Sequence, residues 1–131
     1  MGHTDTLVVA DAGLPIPPDV ERIDLGLIRG IPGFIQTVAA IAGELTVELV
    51  VMAEESRRSC PHVVEAVMNL FAGVPVRFVP HAELKAMTRS ARAVVRTGEF
   101  TPFANVVLQS GVAGLFEGGD AGGRSLQERG K

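Results

Sequence analysis

An α/β domain, a mixed β-sheet with helices packed on its faces, is the fold class this sequence predicts, on three observations. Short apolar runs rich in β-branched residues alternate with longer runs of helical spacing. Gly and Pro separate them as punctuation. Hydrophobic residues make up 47% of the chain and aromatics only 5%, with no Trp or Tyr, so the core must be built from Val, Leu, Ile, Ala and Met, a composition that suits buried parallel or mixed strands. At 131 residues, a single domain with one core is expected.

The first element is a strand over residues 6–10, nearly all apolar and closed by Asp11-Ala12-Gly13-Leu14-Pro15. Leu14-Pro15-Ile16-Pro17-Pro18 cannot lie inside a helix, because successive prolines remove donors and fix φ. A second strand is expected over 22–27. Gly30-Ile31-Pro32-Gly33 then leads into a helix over about 34–42, ended by Gly43, with Pro32 near its first turn. A strand over 45–52 continues into polar residues at Ala53-Glu54-Glu55-Ser56. Val63, Val64, Val67, Met68 and Phe71 recur at helical spacing, so 61–71 is an amphipathic helix stopped by Gly73. Residues 76–79 form a short strand, 81 to about 89 a helix with Leu84 and Met87 inward, and 93–96 and 105–109 two last strands around the loop 97–102. The domain is expected to span 1–116. Residues 117–131 lack apolar periodicity and are expected to form a flexible tail.

A net charge of -3 leaves no basic surplus for phosphates, and few aromatics are available for stacking, so no nucleic acid partner is expected. No apolar run reaches membrane-spanning length and no signal-peptide pattern opens the chain, which predicts a soluble, unexported protein. The lone Cys60 fits a reducing compartment. The three histidines show no His-x-His or His-x-x-x-His spacing, so no metal site is expected.

The polar groups around the first strand point to proton transfer. His3 and Asp5 lead into it, and Asp11 leaves it at the end where open α/β sheets keep their ligand crevice. His81 and Lys85, four apart on one helix, share a face. Asn105 sits at the start of an apolar strand, where an amide is unfavourable unless paired. Each residue also has a plainer reading: His3 as a frayed terminus, Asp11 as a turn former, His81 and Lys85 as helix-start and surface residues. Glu54 and Glu55 read mainly as solvated charge.

Gly2-His3-Thr4-Asp5, the strand and Asp11-Ala12-Gly13-Leu14-Pro15-Ile16-Pro17 resemble the opening of the D-ribose pyranase family, sugar mutarotases that interconvert ring forms of ribose. Arg22-Ile23-Asp24-Leu25, Gly30-Ile31-Pro32, Gln36, Ala53-Glu54-Glu55, His81 with Lys85, Gly98-Glu99 and Pro102-Phe103-Ala104-Asn105 extend the likeness, in the family's order, to about Gly111. The resemblance implies a ribose pyranase/fucose mutarotase-like fold and a cofactor-independent isomerase of carbohydrate metabolism working in the cytoplasm. It implies His3 as the catalytic acid/base and Asp11, His81, Lys85, Phe103, Ala104 and Asn105 as binding residues for D-ribose. It also implies a homodecamer with shared active sites, in which a neighbour contributes the loop of Phe103. The chain departs from the family pattern twice. Phe103 stands where the family usually has Tyr, and the helix expected ahead of Gly2 is missing. A mutarotase for another sugar such as fucose, or a non-catalytic sugar-binding protein, are the alternatives.

Overall fold

A computed structural model of the chain describes residues 5–115. Six strands form one sheet in the order β2-β5-β1-β6-β3-β4, where β1 is Thr6–Ala10, β2 Glu21–Asp24, β3 Leu45–Ala53, β4 Val76–Val79, β5 Ala93–Arg96 and β6 Val106–Leu115. The pairs β1·β5, β2·β5 and β3·β4 are parallel. β6 runs antiparallel between β1 and β3, so the sheet is mixed, as composition and element order predict. Helices α1 (Phe34–Ala42), α2 (Ser56–Ser59), α3 (Pro61–Leu70) and α4 (His81–Met87) connect the strands.

Alternation along β1 divides the core. Val9 faces the side covered by α1 and α3, where it meets Phe34, Val38, Val63 and Val67. Val8 and Ala10 face the other side, against Leu14, Leu84 of α4 and Val107. Successive strand side chains point to opposite faces, and all three of these β1 residues are fully buried. Phe34 is likewise fully buried, and truncating such a side chain typically costs about 3–5 kcal/mol. The start of α1 is therefore a fixed point.

Four local expectations are revised. β2 ends at Asp24 because the Asp24 carboxylate accepts the Gly26 N–H at 3.2 Å and turns the chain out of the strand. Residues 56–59 form α2, a single turn too short to show periodicity. The helix from His81 ends at Met87 and tightens into a 3-10 turn over Thr88–Ser90. β6 begins after Asn105 and continues to Leu115, well past residue 109. Expectations about residues 117–131 and about His3 lie outside the described residues. Among the described residues no helix is long and apolar enough to cross a membrane.

Candidate active site

The parallel strands β1, β3, β4 and β5 all end at one edge of the sheet, and each delivers polar residues there. β1 is followed by Asp11, β3 by Glu54 and Glu55, β4 by His81, and β5 by the loop that holds Glu99. A cleft of about 490 Å3 opens at this edge, lined by residues 11–15, His81, Lys85, Glu99, Phe100, Pro102 and Phe103. Its volume falls in the usual range for small-molecule sites.

Asp11 is the buried carboxylate of the cleft. Its backbone N–H donates to Asn105 Oδ1 at 2.8 Å, and its Oδ2 accepts from Asn105 Nδ2 at 3.2 Å. Its Oδ1 accepts the Gly13 N–H at 2.9 Å. Burial pushes the Asp11 carboxyl above its ordinary value; the Gly13 amide, the Asn105 amide, the Leu14 backbone and the charge of His81 offset this only in part. Asn105 is itself fully buried, so the amide that needed a partner finds it in Asp11. Ala104 is also fully buried, and its side chain joins the core beneath the cleft.

His81 and Lys85 enter the cleft from α4, one turn apart. Glu55 fixes the start of that helix, its Oε1 accepting the His81 backbone N–H at 2.9 Å. The residue read as solvated charge is thus a cap for the helix of the site. The imidazole meets the Phe103 ring edge-on, with centroids 4.8 Å apart, and its buried Nδ1 has no hydrogen-bond partner among the described residues. Phe103 has a φ of 66°, a left-handed conformation that costs a bulky residue on the order of 1–3 kcal/mol and persists only where the surroundings enforce it. The loop of Phe103 packs on the chain's own His81, because β6 starts directly after it and lies beside β1.

Glu99 escaped the sequence reading as a site residue. Its Oε1 accepts the Phe34 N–H at 2.9 Å, and its Oε2 accepts from Thr101 Oγ1 at 2.6 Å and Thr101 N–H at 3.4 Å. Burial pushes this carboxyl up too, but the Phe34 and Thr101 donors, helped by the charge of His62, outweigh it and leave it below its ordinary value. The available signal was positional: a carboxylate placed just past the end of a strand parallel to β1. Gly98, directly before it, has no room for a side chain, since a Cβ would stand 2.6 Å from the Ile31 carbonyl oxygen.

A second cavity, about 670 Å3 and mostly apolar, lies between α1 and the β2 side of the sheet. Among the described residues, none of the expected site residues lines it. Among the described residues no group of three His, Cys, Asp or Glu side chains could hold a metal ion. Asp11 with its amide partner Asn105, the His81 imidazole and Lys85 at one cleft are equipped to hold hydroxyls and exchange protons.

The sequence model of the RbsD / FucU transport protein family matches residues 1–113. The chain is 51% identical over 113 residues to a D-ribose pyranase of Geobacillus kaustophilus, covering 86% of this chain and 83% of that protein. It is 49% identical over 112 residues to a D-ribose pyranase of Coprothermobacter proteolyticus, with 86% of each covered. The structure of Bacillus subtilis RbsD complexed with D-ribose is similar with a TM-score of 0.84 and 47% identity over 86% of each chain. The fucose mutarotase of Streptococcus pneumoniae in complex with L-fucose shares the fold, with a TM-score of 0.72 and 20% identity over 86% of each chain.

Proposed function

This chain belongs to the RbsD / FucU transport protein family, and on that premise we propose that it is a D-ribose pyranase, an isomerase that interconverts the pyranose and furanose rings of ribose. The observation that carries the reading is Asp11, buried, gripped by Asn105, and facing His81 and Lys85 across a cleft of sugar size.

Ring opening removes the proton of the anomeric hydroxyl, delivers one to the ring oxygen and breaks the bond between that oxygen and C1. A different hydroxyl then adds to the aldehyde carbon while its proton is passed on and the aldehyde oxygen regains one. Both the C–O cleavage and the C–O formation are coupled to proton transfer, so the reaction needs groups that titrate near neutrality and others that hold hydroxyls. His3 is the acid/base, an imidazole with an unperturbed pKa of roughly 6.5. Asp11, whose carboxyl is raised by burial, binds a sugar hydroxyl beside it. His81, Lys85 and the backbone around Ala104 and Asn105 hold the remaining hydroxyls, and Phe103 packs on the sugar.

A shared site follows from the family resemblance, which implies a homodecamer. Because Phe103 packs on the His81 of its own chain, with ring centroids 4.8 Å apart, we read His3 as the residue that reaches the cleft of a second copy. A buried, unpaired Cys60 agrees with work in the cytoplasm.

Magnetisation-exchange NMR on ribose tests the activity. The wild-type chain is expected to speed ring exchange and His3→Ala to return it to the rate in buffer. Mixing inactive His3→Ala and Asp11→Asn subunits should recover exchange, because some clefts then hold both native residues. No acceleration by wild type, or faster exchange on fucose than on ribose, overturns the assignment.

A further inference from the structure

We propose that Glu99 is a positioning residue for this reaction: it ties the segment carrying Phe103 to the start of α1 and so sets Phe103 against His81. The kinetic part of the proposal rests on the ring-interconversion reading above.

Glu99 lies where three segments of the cleft wall meet. Its carbonyl oxygen accepts the Ala12 N–H at 2.7 Å, which joins it to the turn after Asp11. One carboxylate oxygen holds the first amide of α1, and the other holds both the hydroxyl and the amide of Thr101, two residues before Phe103. Its backbone cannot shift to relieve either contact. Gly98 is pressed against the turn at residues 28–32, donating to the Pro32 carbonyl at 2.9 Å and accepting the Gly30 N–H at 2.6 Å. The Phe34 side chain, sealed in the core, anchors the far end.

With three donors on two oxygens, the carboxylate has little capacity left for a sugar hydroxyl. Its work is on the loop. Phe103 keeps a left-handed backbone that only enforcing surroundings maintain; the Asn105 N–H donates to its carbonyl at 2.9 Å, and the Thr101 grip ties the preceding residues to Glu99. Cys60 Sγ, 3.6 Å from the Pro102 carbonyl oxygen, adds a weak one from below. A glutamine at position 99 retains one acceptor oxygen for Phe34 and turns an NH2 toward Thr101, whose hydroxyl can accept from it but whose N–H loses its acceptor. The helix cap then survives and the loop restraint is weakened, so the two roles of Glu99 can be separated.

The test compares wild type, Glu99→Gln, Thr101→Val and the double variant. In wild type the His81 imidazole and Phe103 ring protons should give a nuclear Overhauser contact. It is expected to weaken in Glu99→Gln and in Thr101→Val, which leaves the α1 cap untouched and covers the case that Glu99→Gln folds poorly. Ribose kcat should fall roughly 10- to 100-fold in each, the scale of a misplaced catalytic wall, and the double variant should be no slower than either single one. An undiminished His81–Phe103 contact in both single variants overturns the proposal, as do unchanged kcat and KM or losses that multiply in the double variant. If wild type leaves ribose exchange at the buffer rate, the ribose reading falls, and the ring contact alone decides the role of Glu99.

Discussion

Asp11 and Glu99 reach the same cleft from the ends of neighbouring parallel strands, yet they sit in opposite conditions. Both are partly withdrawn from water, which disfavours their charge. Asp11 is left above its ordinary value, because its three hydrogen bonds repay only part of the loss. Glu99 is brought below, because a helix-start amide and both donors of Thr101 converge on it. The contrast separates two uses of a carboxylate. One whose donors outweigh its burial stabilises the wall, and one whose burial outweighs its donors keeps affinity for a ligand's hydroxyl or proton.

The contrast breaks most sharply with Asp11→Asn. Ribose exchange should fall about 10- to 100-fold, the worth of a charged hydrogen bond to a sugar hydroxyl, while the protein still unfolds cooperatively. Exchange NMR and a urea titration on the same sample check both halves. At Glu99 the balance reverses. Glu99→Ala strands the Phe34 amide and frees Thr101, and leaving such groups unsatisfied should lower unfolding free energy by about 1–3 kcal/mol, read from the shift in urea midpoint.

Phe103→Tyr sharpens the site side of the comparison. The added hydroxyl offers the sugar one hydrogen bond worth about 0.5–1.5 kcal/mol, so KM for ribose should drop by up to about tenfold with little change in melting temperature. The smallest effect is in pH. Glu99, lowered from 4.5, stabilises the fold above that value and loses its contribution as pH falls through its folded pKa. Asp11, raised from 3.8, contributes stability below that value and loses it as pH rises through its folded pKa. Acid titration of urea midpoints should therefore shrink the stability advantage of wild type over Glu99→Gln and raise wild type relative to Asp11→Asn. The opposite drift in either pair would remove that assignment of signs.

Much of the fold was legible because its signals are local. The bounds of β1, α1, β4 and β5 follow from apolar runs closed by Asp11, Gly43, Pro80 and Thr97. Asp11, His81 and Lys85 were also legible as site candidates, from the strand-end rule and from helical spacing. Glu99 was not, since a carboxylate in a loop looks solvated until Phe34, 65 positions away, is seen to donate to it. Asn105 was only half legible. Its apolar context demanded a partner, and nothing local said that the partner was Asp11.

By itself the sequence determined the element types and their ends, the mixed-sheet class and the family, because period, punctuation and motif are properties of short stretches. Only the tertiary structure decided that β6 would lie between β1 and β3 and bring Asn105 to Asp11 across 94 positions. It also decided in which carboxylate the donors outweigh burial and in which burial prevails. Those outcomes depend on burial and on donors from remote segments, and neither exists until the chain has packed.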